Sequence, residues 1–145
     1  MLYIAKSIIP ASGIGLYTAE FISKNTCFAE YYGTVYKAEK TQTRPYTMYA
    51  FEINENHVID ADESCMARYA NDAEGAIQIM GLHNNTYFRI KEEQVFLCSL
   101  YDIPAHSEIL VSYGTDFWNM FDVNVMKEKA SKKAEQIYRK RKITS

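Results

Sequence analysis

Asp102-Ile-Pro-Ala-His-Ser-Glu-Ile-Leu-Val-Ser-Tyr-Gly-Thr-Asp-Phe-Trp118 is the stretch on which the reading of this chain turns. Pro104 marks a turn, and Glu108 to Tyr113 reads as a short strand ending in an aromatic hydroxyl and a glycine. Working outward, Gln94 to Tyr101 is the strand on the other side of that turn. Leu2 to Ile9, Leu16 to Ile22, Cys27 to Tyr36, Thr47 to Ile53 and His57 to Asp60 supply further strands. Pro10-Ala-Ser-Gly13 and Ser23-Lys-Asn25 punctuate them. Asp62, Glu63 or Ser64 is placed to cap a short helix through Met66 and Arg68. Met126, Ala130, Ala134 and Ile137 fall at helical spacing, so a helix is expected over Val123 to about Arg141.

The chain has 145 residues, enough for one domain with a real core, and 48% of them are hydrophobic. Its net charge of −2 hides an asymmetry. Residues 1–126 carry eight Lys/Arg against sixteen Asp/Glu, while 127–145 carry eight against two. The organisation expected is therefore a body over 1–122 and a basic helical tail over 123–145. An acidic body favours cationic partners and disfavours nucleic acid, whereas the tail suits nucleic acid or an acidic surface. Cys27, Cys65 and Cys98 form no CxxC pair, and His57, His83 and His106 add no ligand spacing, so no metal site is expected. Three scattered thiols fit a reducing compartment, each as a small buried hydrophobe. The apolar run in Met1 to Pro10 is short and interrupted by Lys6, which argues against a signal peptide or membrane span.

Several upstream segments join the 102–118 stretch. Gly13-Ile-Gly15-Leu16-Tyr17 lets a backbone approach a ligand closely, although two glycines alone also describe a plain turn. Glu30-Tyr31-Tyr32-Gly33 follows. Val58-Ile-Asp60-Ala61 precedes Met66-Ala-Arg68-Tyr69-Ala70-Asn71-Asp72, in which the Asn71 amide offers both donors and an acceptor. His83-Asn84-Asn85-Thr86-Tyr87-Phe88-Arg89-Ile90 comes next. In order and spacing, from about Lys6 to Trp118, these pieces resemble the SET-domain protein lysine methyltransferases, as a small divergent member. The family's G-x-G-(L/W)-(F/Y), E-Y-x-G, V-I-D-A and R-(F/Y)-x-N-H runs all have counterparts, with Asp72 where the family has histidine. Its D-I-x-x-G-E-E-(L/I)-x-x-x-Y-G run corresponds to 102–114, with His106 for a glycine, Val111 for a common Tyr and Ser112 for a common Asp.

That resemblance implies a mostly β, β-clip-like SET fold of several short sheets with a pseudoknot, short helices and a C-terminal helix. It implies S-adenosyl-L-methionine as cofactor, held by Gly13, Ile14, Gly15, Leu16, Tyr17, Arg68, Asn71, Asp72 and Tyr113 and covered by Phe117 and Trp118. Tyr113 falls on the catalytic tyrosine, and Tyr31 helps to line a lysine channel. The family's P-N-C-x-(Y/F) run aligns either as Asn84 with Tyr87 or as Asn85 with Phe88. The second also matches Arg89-Ile90 and is preferred. The expected substrate is a Lys-containing basic protein or peptide, histone tails included. The expected compartment is the nucleus, consistent with Arg139-Lys-Arg-Lys142, or otherwise the cytoplasm. The cysteine-rich zinc segments that flank many histone-directed members have no counterpart in this sequence, and 123–141 is expected to close the channel instead. The alternative is a catalytically silent SET-like module that binds a chromatin or other protein partner, favoured by Asp72 and by the lack of the zinc segment that closes the channel in those relatives.

Overall fold

The computed structural model describes residues 1–37, 49–75 and 77–114. These residues are mostly β and form three antiparallel three-stranded sheets. Strands β1 (Leu2–Lys6), β2 (Ile14–Thr18) and β9 (Glu108–Ile109) make the first, in the order β1-β2-β9. Strands β3 (Cys27–Tyr31), β8 (Gln94–Ser99) and β7 (Thr86–Lys91) make the second, and β4 (Gly33–Lys37), β6 (His57–Ala61) and β5 (Ala50–Asn54) the third. Among the described residues one 3-10 turn, Met66–Tyr69, packs on β1, β2 and β3. Every residue of β2 is buried, because β1 and β9 flank it. Leu16, Val95, Leu97, Ile103, Ile109 and Val111 are sealed in the main core. Each such side chain stabilises the fold by about 1.5–3 kcal/mol.

Several expected elements are redrawn. The run Cys27 to Tyr36 breaks at Tyr32, and its halves join different sheets. Gly33 explains the break: a Cβ there would lie 1.9 Å from the Asp60 carbonyl oxygen, so β6 approaches the backbone itself. Strand β7, not foreseen as a strand, is the hairpin partner of β8, and Glu92 turns the chain at φ 58°. The 3-10 turn has no side-chain cap. Asp62 Oδ1 instead accepts from Ser64 N–H and Oγ, at 3.0 Å each, in a local Asx turn. The expected helix over Val123–Arg141, and Phe117 and Trp118, lie outside the described residues.

Strand β9 ends early because its chain leaves the sheet to run between two older segments. Val111 N–H donates to the Asn71 carbonyl at 2.8 Å, while Asn85 and Thr86 N–H both donate to the Leu110 carbonyl at 3.0 Å. Asn85 adds a side-chain clamp: Nδ2 donates to the Glu108 carbonyl and Oδ1 accepts from Leu110 N–H, both at 2.9 Å. This crossing is the knot-like feature expected of the fold, and it carries Tyr113 toward Asn71.

The cysteines correct an expectation. Cys27 and Cys98 stand opposite each other in the β3–β8 register and form a disulfide, and Cys27 is exposed. Thiols distant in sequence are neighbours across a sheet, so their scatter carried no information about compartment. Cys65 alone is a free, buried thiol.

Candidate active site

Four chain segments meet at the Glu108 carboxylate, which is only 4% exposed. Ser7 Oγ donates to Oε1 at 2.7 Å, Ile8 N–H to Oε2 at 2.9 Å and Asn71 Nδ2 to Oε1 at 3.2 Å. The Tyr17 hydroxyl donates to the Lys6 carbonyl at 2.6 Å and lies 3.4 Å from Oε2. Such company makes burial of a carboxylate tolerable. Burial first, and then the Glu108 charge, pushes the Tyr17 phenol up to about 12. Gly15 passes directly against this group: a Cβ there would sit 2.2 Å from Oε1. Gly15 is thus required by space, whereas Gly13, at φ 66°, is required by conformation. In the sequence reading Glu108 is a match to the family's 102–114 run but carries no site role. An acid inside the apolar run Ser107-Glu-Ile-Leu-Val111 was the available signal.

Asn71 is tied down by its amide hydrogens. Nδ2 donates to the Ile14 carbonyl at 3.0 Å as well as to Glu108. Both donors are committed inward, so Oδ1 is left as the acceptor for a ligand. The Tyr113 hydroxyl donates to the Ala70 carbonyl at 2.8 Å, one residue from Asn71, and Tyr113 N–H donates to Asp72 Oδ2 at 2.9 Å. Burial, followed by the Asp72 charge, raises the Tyr113 phenol well above its usual range, so it works as a neutral hydroxyl. The Arg68 guanidinium lies 3.8 Å from the Tyr49 ring centroid, and its Nε is buried without a hydrogen-bond partner among the described residues. Leu16 is also brought to this region, but fully buried in β2 and within the core.

Strand alternation separates the two aromatics of β7. Phe88 meets the Tyr31 ring edge-on at 5.6 Å and Phe51 at 4.7 Å. Tyr87 points to the other face and is not part of this cluster. Phe51, at 6.0 Å from Tyr31, completes an aromatic wall that the sequence reading missed. The Tyr31 hydroxyl donates to the Tyr49 carbonyl at 2.5 Å, and burial pushes its phenol upward. The region thus combines a backbone turn, an outward amide oxygen, a neutral phenol and an apolar aromatic wall. Such an arrangement can hold a polar, partly cationic ligand beside an apolar aromatic wall.

Comparison with known proteins bears on the family and the fold. The family model described as SET domain matches residues 13–114. The chain is 32% identical over 124 residues to "Histone-lysine N-methyltransferase 2D" of Homo sapiens, and equally to that of Mus musculus. The match takes in 80% of this chain but only 2% of either relative's length. Among solved structures, the Chaetomium thermophilum polycomb repressive complex 2 superposes with a TM-score of 0.60 at 20% identity, over 80% of this chain and 15% of that one. The methyltransferase domain of human PR domain-containing protein 2 does so with a TM-score of 0.54 at 21% identity, over 77% of this chain and 75% of that one.

Proposed function

Because this chain belongs to the SET-domain family, we propose that it transfers a methyl group from S-adenosyl-L-methionine to the side-chain amine of a lysine in a protein. One observation carries the reading. Tyr113 bonds the Ala70 carbonyl, Asn71 follows in the chain, and the Asn71 amide bonds the Ile14 carbonyl, so three segments far apart in sequence share one site. The residues present fit the cofactor. The free Asn71 Oδ1 suits an ammonium, and the unsatisfied Arg68 Nε suits a carboxylate. When bound, the cofactor supplies an electrophilic methyl on a sulfonium.

The chain's own residues then have defined work. A lysine amine must shed its proton, and its reference pKa is about 10.4. The wall of Tyr31, Phe51 and Phe88 disfavours the ammonium form by desolvation, which lowers that pKa without a dedicated base. Tyr113 orients the reacting groups through its hydroxyl, and the aromatic wall helps to hold the amine in line for displacement. The acidic body favours a Lys/Arg-rich peptide. The relatives' names make histone tails the first substrates to try and the nucleus the proposed compartment. The basic 123–141 segment is assigned to closing the channel and to contacts with acidic surfaces or nucleic acid.

The test is incubation with labelled cofactor and with histones or a peptide array, followed by mass spectrometry. Methylated lysine is the expected product. Cofactor binding without any transfer would favour the silent, partner-binding module, and absence of cofactor binding would overturn both readings.

A further inference from the structure

We propose that Asp72 is a positioning residue for Tyr113, acting through that residue's backbone N–H, and not a contact to the cofactor. The inference deepens the function proposed above, since it takes Tyr113 as the catalytic tyrosine.

The Asp72 side chain is 7% exposed and turned into the protein. Oδ2 accepts from Tyr113 N–H at 2.9 Å. Oδ1 accepts from Glu74 N–H and from Asn84 Nδ2, each at 2.9 Å. Asn84 is itself fixed, because its Oδ1 accepts from Ala73 N–H at 2.8 Å. Among the described residues, one carboxylate therefore gathers at least three donors, two of them from the backbone. A neutral imidazole has a single acceptor, so the histidine common at this place in the family could not form the same hub.

The hub continues a ladder. Val111 N–H bonds the Asn71 carbonyl, in the parallel pairing of Asn71 with Leu110. The next rung of such a ladder falls to Tyr113 N–H, but the Ala73–Glu74 turn has already carried the opposite backbone away. Asp72 supplies the missing acceptor from its side chain. With its hydroxyl on the Ala70 carbonyl and its N–H on Asp72, Tyr113 is tethered at both ends to residues 70–72. A phenol held at both ends keeps its oxygen where a reaction needs it, and a displacement of about 1 Å costs on the order of 10²-fold in rate.

The experiment compares the full chain with Asp72→Ala, Asp72→Asn and the exchange Asp72→Asn/Asn84→Asp. It reads methyl transfer, calorimetric affinity for S-adenosylhomocysteine, and hydrogen exchange of the Tyr113 amide by NMR. Asp72→Ala is expected to lower kcat by about 10²-fold with cofactor affinity held within about twofold, and to expose the Tyr113 amide to exchange. Asp72→Asn opposes two amide groups at Asn84. The exchange re-pairs these two side chains, though not Glu74 N–H, and is expected to recover at least a tenth of the parental kcat, with renewed amide protection at Tyr113. Loss of cofactor affinity in parallel with rate would overturn the assignment, as would a Tyr113 amide equally protected in all variants. A parent that transfers no methyl would refute the proposed function alone, because the amide exchange still decides whether Asp72 holds Tyr113.

Discussion

Replacing Gly15 by alanine probes the centre of the site. The new Cβ would lie 2.2 Å from Glu108 Oε1 and 2.8 Å from its Cδ. A surface glutamate could swing aside, but this one is buried and bonded to Ser7, Ile8 and Asn71. Moving Oε1 breaks at least the Ser7 and Asn71 bonds. At about 1.5–3 kcal/mol for each bond to a charged group, the loss of two is roughly 3–6 kcal/mol. Alanine in a strand recovers about 0.5–1 kcal/mol of backbone entropy, so the net destabilisation is about 3 kcal/mol. At this chain length that lowers Tm by roughly 10 °C. Thermal denaturation measures it, and Glu108→Asp in the same chain, being one methylene shorter, should restore part of the loss. A Gly15→Ala chain as stable as the parent would refute the steric reasoning. Weaker cofactor binding at unchanged stability would mean instead that Gly15 serves only the ligand's approach.

Three further outcomes are expected. Tyr113→Phe removes a neutral hydroxyl donor and should lower kcat by about 10²-fold while leaving cofactor affinity intact, as single-turnover kinetics and calorimetry would show. Asn71→Ala removes the outward Oδ1 and should weaken cofactor binding by roughly 10–100-fold, read by calorimetry. Tyr17 and Tyr113 both have phenols raised above the unfolded value of 10.0. The folded state therefore retains protons that the unfolded chain releases, so stability is complete below about pH 10 and falls above it. For Tyr17 the loss runs from pH 10 to about 12, and denaturant melts across that window should show less of it in Tyr17→Phe.

The order and spacing of motifs carried most of the fold, because each motif is local: a glycine pair, an amide after a short turn, a strand ending in Tyr-Gly. Contacts between distant segments were not legible in the same way. Gly33 looks like any turn glycine until Asp60 is found against it. The hydrogen bonds of Asp72 were invisible in the sequence, since its partners Asn84 and Tyr113 stand 12 and 41 residues away. Cys27 and Cys98, 71 residues apart, meet only through the β3–β8 register. Which of Tyr87 and Phe88 faces Tyr31 became visible only once β7 was known to pair with β8. Glu108 was visible as a family match, but its work as a buried hub needed the partners from β2 and from the ends of two other segments.

The most direct measurement is an NMR titration of the amide-labelled chain with S-adenosylhomocysteine. Convergence of the three segments predicts that amide signals of Gly13 to Gly15, Asn71 and Tyr113 shift together with one binding constant, while those at the Glu92-Glu93 hairpin turn stay fixed. Shifts confined to one of these segments, or centred on the hairpin, would contradict a shared site.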